Sequence, residues 1–335
     1  MKLNRILLPA VLVAALLATV PGCKKEETST KTLDGYLYLE LPEYMTGGDT
    51  KTFMIDTLMT LICPDGETIG YFFRDETTQT NDTLVKADGT ILKHYYTYTA
   101  PSTKGNAKLT LAGFMGKDSK YSGFSTSYTT TVVFPGLSGS GSITGFDKDG
   151  SWTYRDFRDG RTYYCSFIGD LFWMRQNLAW DEAGVPFEGC GVMTDVFGRY
   201  YTWEEAQTAC PNGWRLPTDA EVVALQENAA ASKDIPGLAG KLMADLYFND
   251  TRMWEYWRDV KITDELCFSA IPVGYGTVAE GSYDFQGDFK YAVFWTSDEE
   301  DGYGICRYIY QNKDIVYRGR MSKTDFVAPV RCVME

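Results

Sequence analysis

Histidine is nearly absent: His94 is the only one in 335 residues. It stands beside Tyr95 and Tyr96 in a strand-like stretch, so neither a histidine-dependent nucleophilic triad nor a multi-histidine metal site is available. The eight cysteines contain no Cys-x-x-Cys pair, which leaves no zinc ribbon and no thioredoxin-like centre. Basic residues are in deficit, 32 Lys and Arg against 45 Asp and Glu, for a formal charge of −13. Nucleic acid is therefore an unfavourable partner. Beyond residue 27 no apolar run is long enough to span a bilayer.

What is present begins with a compartment signal. Lys2 and Arg5 precede Ile6 to Val20, apolar apart from Pro9 and Thr19, and Val20-Pro21-Gly22-Cys23 closes the stretch. It is too short for a span and fits a signal-peptide core. The segment resembles a bacterial lipoprotein signal, although Pro21 departs from the usual small or aliphatic residue. The resemblance implies cleavage before Cys23 and a lipid anchor on its sulfur, leaving a mature chain of charge −15. Lys24-Lys25-Glu26-Glu27 resembles the tract that sends some Bacteroides-type lipoproteins to the outer face of the outer membrane; an ordinary solvated tether is the alternative. Residues 1–22 are thus expected as signal peptide and 23–33 as a polar, Thr-rich tether to the outer membrane, on either its surface or its periplasmic face.

Residues 34–135 alternate Thr, Tyr, Val and Ile-rich runs with turn signals such as Pro64-Asp65-Gly66 and Asp88-Gly89. The expected strands include Tyr36 to Leu41, Phe53 to Ile62, Ile69 to Arg74, Ile91 to Thr99, Ala107 to Phe114 and Tyr128 to Phe134. About seven short strands over about 100 residues predict an all-β immunoglobulin-like sandwich acting as a spacer. Cys63 is expected as an unpaired core thiol. Asp56-Thr57-Leu58 and Asp82-Thr83-Leu84 resemble the O-glycan acceptor pattern of Bacteroides-type exported proteins, which makes Thr57 and Thr83 candidate acceptors. Residues 136–151, with five glycines, read as a linker.

From 152 to 335 the pattern changes to α+β. Phe167 to Leu178 reads as a hairpin around Gly169-Asp170. Thr202-Trp203-Glu204-Glu205 and Thr218-Asp219-Ala220-Glu221 are capping boxes that each open a helix, and Leu238, Leu242 and Leu246 at helical spacing predict a third. Trp173-Met174-Arg175-Gln176-Asn177-Leu178, Gly198-Arg199-Tyr200-Tyr201-Thr202-Trp203, Ala209 to Glu221, Phe268 to Tyr275, Phe294-Trp295-Thr296-Ser297 and Val330-Arg331-Cys332-Val333 together resemble the Fibrobacter succinogenes major paralogous domain. The resemblance implies a C-type-lectin-like fold, in which a helix-to-last-strand disulfide joins Cys210 to Cys332. The pairing of Cys165, Cys190, Cys267 and Cys306 stays open.

No chemistry comes with that resemblance, so the site must be sought in the residues. Gly274 to Tyr291 is too rich in Gly for a regular element and too rich in aromatics for an idle linker, a composition shared with antibody loops. In lectin-like folds the long loop before the last strands is the recognition surface. Tyr275, Tyr283, Asp284, Phe285, Asp288 and Tyr291, with Trp295 in the following strand, are therefore the expected ligand-binding residues, a small satellite core being the alternative. Asp298-Glu299-Glu300-Asp301 could offer oxygen ligands to calcium through Asp298, Glu300 and Asp301, or be a charged loop tip. No other cofactor is expected. The function expected is non-catalytic binding of an extracellular glycan or protein; a structural appendage role and a carboxylate-based glycan-acting enzyme are the alternatives.

Overall fold

A computed structural model describes residues 31–134, 137–139, 152–231 and 238–335. Cys23 and the Lys24 to Glu27 tract lie outside the described residues, as do positions 140–151 of the expected linker. The chain is mostly β and divides into two compact units. One comprises the described residues up to Pro42 with Gly47–Val132, the other Glu43–Thr46 with Val133–Glu335.

In the first unit Phe124–Val133, Gly105–Phe114, Gly70–Asp75 and Thr80–Val85 hydrogen-bond in that order, and Thr50–Met54 pairs with Tyr95–Thr99. Alternation explains which face is inside: Ala107, Leu109 and Leu111 are buried along one strand. Phe73 of the larger sheet stacks on Tyr96 of the smaller at 4.1 Å and meets Phe53 at 5.9 Å, so the two inner faces share an aromatic core. Tyr36 to Leu41, expected as a strand, joins no ladder, although Leu37 and Leu39 are buried and Tyr36 and Tyr38 exposed. Alternation reports a face on the core, not partners for the backbone. Thr80–Val85 was not expected; only Leu84 and Val85 are buried in an otherwise polar strand.

The second unit opens with an antiparallel sheet. Thr162–Ile168 and Leu171–Met174 turn at Gly169-Asp170, where Gly169 adopts φ +65°, and the chain end returns as Val333–Met334 against Leu171–Met174. Leu137–Gly139, inside the expected linker, is a short strand on Leu246–Phe248. Helices Trp203–Ala209 and Asp219–Ala231 follow, each opened by its capping box: Thr202 accepts from the Glu205 N–H, Thr218 from the Glu221 N–H, and each Glu accepts from the Thr N–H in return. The third helix does not form. Its residues make a turn at Ala239–Lys241 and the strand Leu246–Phe248, because Leu242 accepts from, and Ala244 donates to, the backbone of Ala270. Groups engaged with a distant strand cannot close helical turns.

The largest sheet runs Ser282–Asp288, Val273–Ala279, Tyr291–Glu300, Tyr303–Tyr310, Val316–Met321 in spatial order. The disulfide Cys210–Cys332 is present and spans 122 residues of sequence, tying the end of the first helix to the last strand region. Cys63 is a buried free thiol, and Cys165, Cys190, Cys267 and Cys306 are also unpaired.

Candidate functional site

The sequence motifs that dominate the second unit build its interior. Arg331, with no exposed surface, donates to Asn177 Oδ1 at 2.7 Å and to the carbonyls of Met174, Phe268 and Ser269 at 2.7–3.0 Å, while its guanidinium lies over Phe268 and Phe294. Arg175, equally buried, donates to Ser269 Oγ and lies 3.6 Å from Asp264, which in turn accepts from the Ser269 N–H and hydroxyl. Burial lowers the Arg331 pKa, and Asp264 opposes that shift. This network is fully inside the protein. Its residues hold the interior together and leave almost no surface to solvent, so they are not a ligand site.

The accessible chemistry lies on the large sheet. Tyr291, Tyr308 and Tyr317 sit on adjacent strands, Val293 opposite Tyr308 and Tyr308 opposite Tyr317 in the ladder, and all project from one face. With Tyr275, Tyr310 and Phe326 they surround a groove of about 400 Å³, whose remaining lining is Thr277, Val293, Cys306 and Met321. The rings brace one another: Tyr291 stacks on Tyr310 at 4.6 Å, Tyr308 on Tyr317 at 5.0 Å and Tyr275 on Phe326 at 5.1 Å. Val293, Cys306 and Phe326 are buried and form the floor, while the tyrosines are half-buried.

Gly319 explains why there is a groove at all. On Val316–Met321 the residues of this face are Tyr317, Gly319 and Met321, and Gly319 lies opposite Cys306. A Cβ at 319 would meet Cys306 Sγ at 3.0 Å, Met321 Cε at 3.3 Å and Tyr308 Cε1 at 3.5 Å. The missing side chain leaves the floor open between two flanking side chains.

No carboxylate, imidazole or amine is among the lining residues. Burial raises the pKa of Tyr291, with Tyr310, Tyr275 and Tyr308 adding to it, and burial also raises that of Tyr308. Burial pushes the Cys306 thiol up to about 12. The groove therefore presents phenol hydroxyls, ring faces and a thiol. It can stack and hydrogen-bond.

The expected ligand residues separate across the sheet. Gly274 to Tyr291 is not a loop: Val273–Ala279 and Ser282–Asp288 form a hairpin around Glu280-Gly281, both at positive φ. Tyr275 and Tyr291 line the groove. Asp284 lies opposite Thr277 and accepts from Gln286, continuing the same face one strand out. Phe285 points the other way into the core, 5.0 Å from Tyr200 and 5.2 Å from Phe187, and Tyr283 stacks on it at 6.3 Å. Asp288 lies opposite Val273 in the ladder and, after burial itself, adds to the raising of the Tyr200 pKa. Trp295 is fully buried beyond the floor, donating to the Tyr201 carbonyl at 2.8 Å. Tyr308, Tyr310 and Tyr317 were missed, though their period-2 spacing in strand-like runs was the available signal.

The acidic stretch is a hairpin tip whose carboxylates meet protein partners. Asp298 accepts from the Asp219 N–H at 2.6 Å, Glu300 pairs with Arg318 at 2.7 Å, Asp301 with Arg320 at 2.9 Å, and Glu299 with Lys323. Glu300 also lies 3.9 Å from Arg320, and among the described residues no group of three or more His, Cys, Asp or Glu that could hold a metal ion is found. Thr57 is exposed, its hydroxyl donating to the Met54 carbonyl, whereas Thr83 is half-buried within Thr80–Val85.

A mostly β unit knit by a buried arginine network and closed by one disulfide is what these motifs encode. The Fibrobacter succinogenes major domain family matches residues 167–334, half of the chain, and the chain belongs to that family. No curated protein and no solved structure shows a significant match to it.

Proposed function

We propose that this chain is a cell-envelope lipoprotein, anchored through Cys23 in the outer membrane, whose C-terminal domain binds an extracellular glycan or protein without transforming it. On this reading the N-terminal unit is an immunoglobulin-like spacer that holds a C-type-lectin-like domain away from the membrane. The observation that carries the binding role is the tyrosine groove. Protein surfaces seldom gather five tyrosines around an open concavity unless something is meant to cover them, and concave, mostly apolar sites with a few polar groups are the usual form of a ligand site. The lining has ring faces and phenols but no acid-base pair, which favours retention over turnover.

The anchor is tested by Cys23→Ser, which should move the protein from the membrane to the soluble fraction and abolish incorporation of labelled palmitate; continued labelling refutes the assignment. The groove is tested on an array of glycans and peptides with the full chain and with Tyr291→Ala plus Tyr308→Ala. Binding that survives this double substitution places the site elsewhere.

A further inference from the structure

We infer that the ligand of the tyrosine groove is an uncharged glycan, held by sugar-ring stacking and without a metal ion. The inference rests on the binding role proposed above and narrows its ligand to one class.

Three properties of the groove select this chemistry. First, charge: no Asp, Glu, Lys, Arg or His is among the lining residues, while the chain carries −13 overall. An acidic polymer would find no cation to pair with inside the groove. A ligand that depends on its own charge gains nothing there. Second, the polar groups present are phenol and threonine hydroxyls and a thiol, each placed beside an aromatic or aliphatic surface. A pyranose has the matching pattern, C–H bonds on its faces and hydroxyls at its rim. Its C–H faces lie against rings whose π faces are negative, and its hydroxyls exchange hydrogen bonds with Tyr and Thr. The volume of about 400 Å³ is that of a small-ligand site and not of an extended protein interface.

Third, the backbone offers a peptide little. Tyr303–Tyr310 is paired on both sides and Tyr291–Glu300 pairs with it and, at Ala292, with Gly274; the free ladder edge belongs to Val316–Met321 at the groove's rim, where an added strand would lie beside the groove and not in it. Recognition must come from side chains, and those side chains are tyrosines already braced in stacked pairs. Rings held before the ligand arrives lose little freedom when it binds. Gly319 leaves the space between Tyr317 and Met321 that a sugar ring would fill.

The test uses the full chain in a polyoxyethylene detergent, which brings no sugar of its own. Binding is measured calorimetrically to oligosaccharides of glucose, mannose and N-acetylglucosamine, to oligogalacturonate, and to a proline-rich peptide. The variants are Tyr308→Ala, Tyr317→Ala and Gly319→Val, each checked for an unchanged melting temperature. At least one uncharged oligosaccharide should bind, with affinity unaffected by EDTA or high salt, and each variant should weaken it by about tenfold or more. Because the three substitutions act from different strands or by filling space instead of removing it, misfolding of one leaves the others decisive. Preference for oligogalacturonate or the peptide, lost in the same variants, overturns the uncharged-glycan inference but keeps the groove as the binding site. Failure of every uncharged oligosaccharide to bind also overturns the inference. Binding that persists undiminished in the variants overturns both.

Discussion

At the scale of single residues, burial separates positions that look alike in sequence. Phe285 and Tyr308 are both aromatic strand residues near glycine, yet Phe285 is packed among Phe187, Tyr200 and Tyr283 and Tyr308 faces the groove. Phe285→Ala should cost about 3–5 kcal/mol of stability, the usual cost of emptying an aromatic core position. Tyr308→Ala should cost much less and act on ligand binding instead. Urea unfolding of the two variants checks this, and a Tyr308→Ala loss equal to that of Phe285→Ala would make the groove part of the core. Arg331 is the strictest case. Its removal leaves three backbone carbonyls and Asn177 Oδ1 without their donor in a place water does not reach. Arg331→Ala should therefore destabilise the unit by about 3–5 kcal/mol; a change below about 1 kcal/mol would mean that water replaces the guanidinium.

At the scale of elements, the capping boxes show how local chemistry and charge meet. Arg215 pairs with Glu221 at 2.7 Å and, with the Thr218 N–H, holds that carboxyl below its ordinary range. A carboxyl whose folded pKa is depressed contributes its stability above the unfolded value, near about 4.3 for glutamate, and loses it as pH falls through the lower folded value. Stability should therefore fall on acidification below about pH 5, and Glu221→Gln should flatten that part of the curve. An unaltered slope in the variant would mean that other carboxylates carry it. Both capping boxes were legible in sequence because each is complete within four residues. The helix expected from Leu238, Leu242 and Leu246 was not, because Ala270 claims the backbone of Leu242 and Ala244 from far along the chain. The reading of Gly274 to Tyr291 as a loop failed for a related reason. Its glycines serve a two-residue hairpin turn and close strand contacts, and a period-2 reading around Glu280-Gly281 would have shown it.

At the scale of the whole chain, one covalent link stands out. Cys210–Cys332 encloses most of the second unit, and in the chain-entropy model a loop of this size contributes about 4–5 kcal/mol. Cys210→Ser plus Cys332→Ser should lower the urea midpoint by a corresponding amount and expose the unit to proteolysis. Non-reducing peptide maps that pair Cys332 with any other cysteine would refute the link. Family membership, the two capped helices, the Gly169-Asp170 hairpin and this disulfide could all be reached from sequence, the last through the family resemblance. Each depends on short-range patterns or on motifs that travel together along the chain. The groove depends on something else. Tyr275, Tyr291, Tyr308 and Tyr317 come from four different strands, and only the order in which those strands pair sets them around one hollow. Alternation along a strand tells which residues share its face, but not which strand lies beside it nor which face meets the core. Those were decided by tertiary packing, which turned Phe285 inward, buried Trp295 against Phe326 and left the tyrosines at the surface.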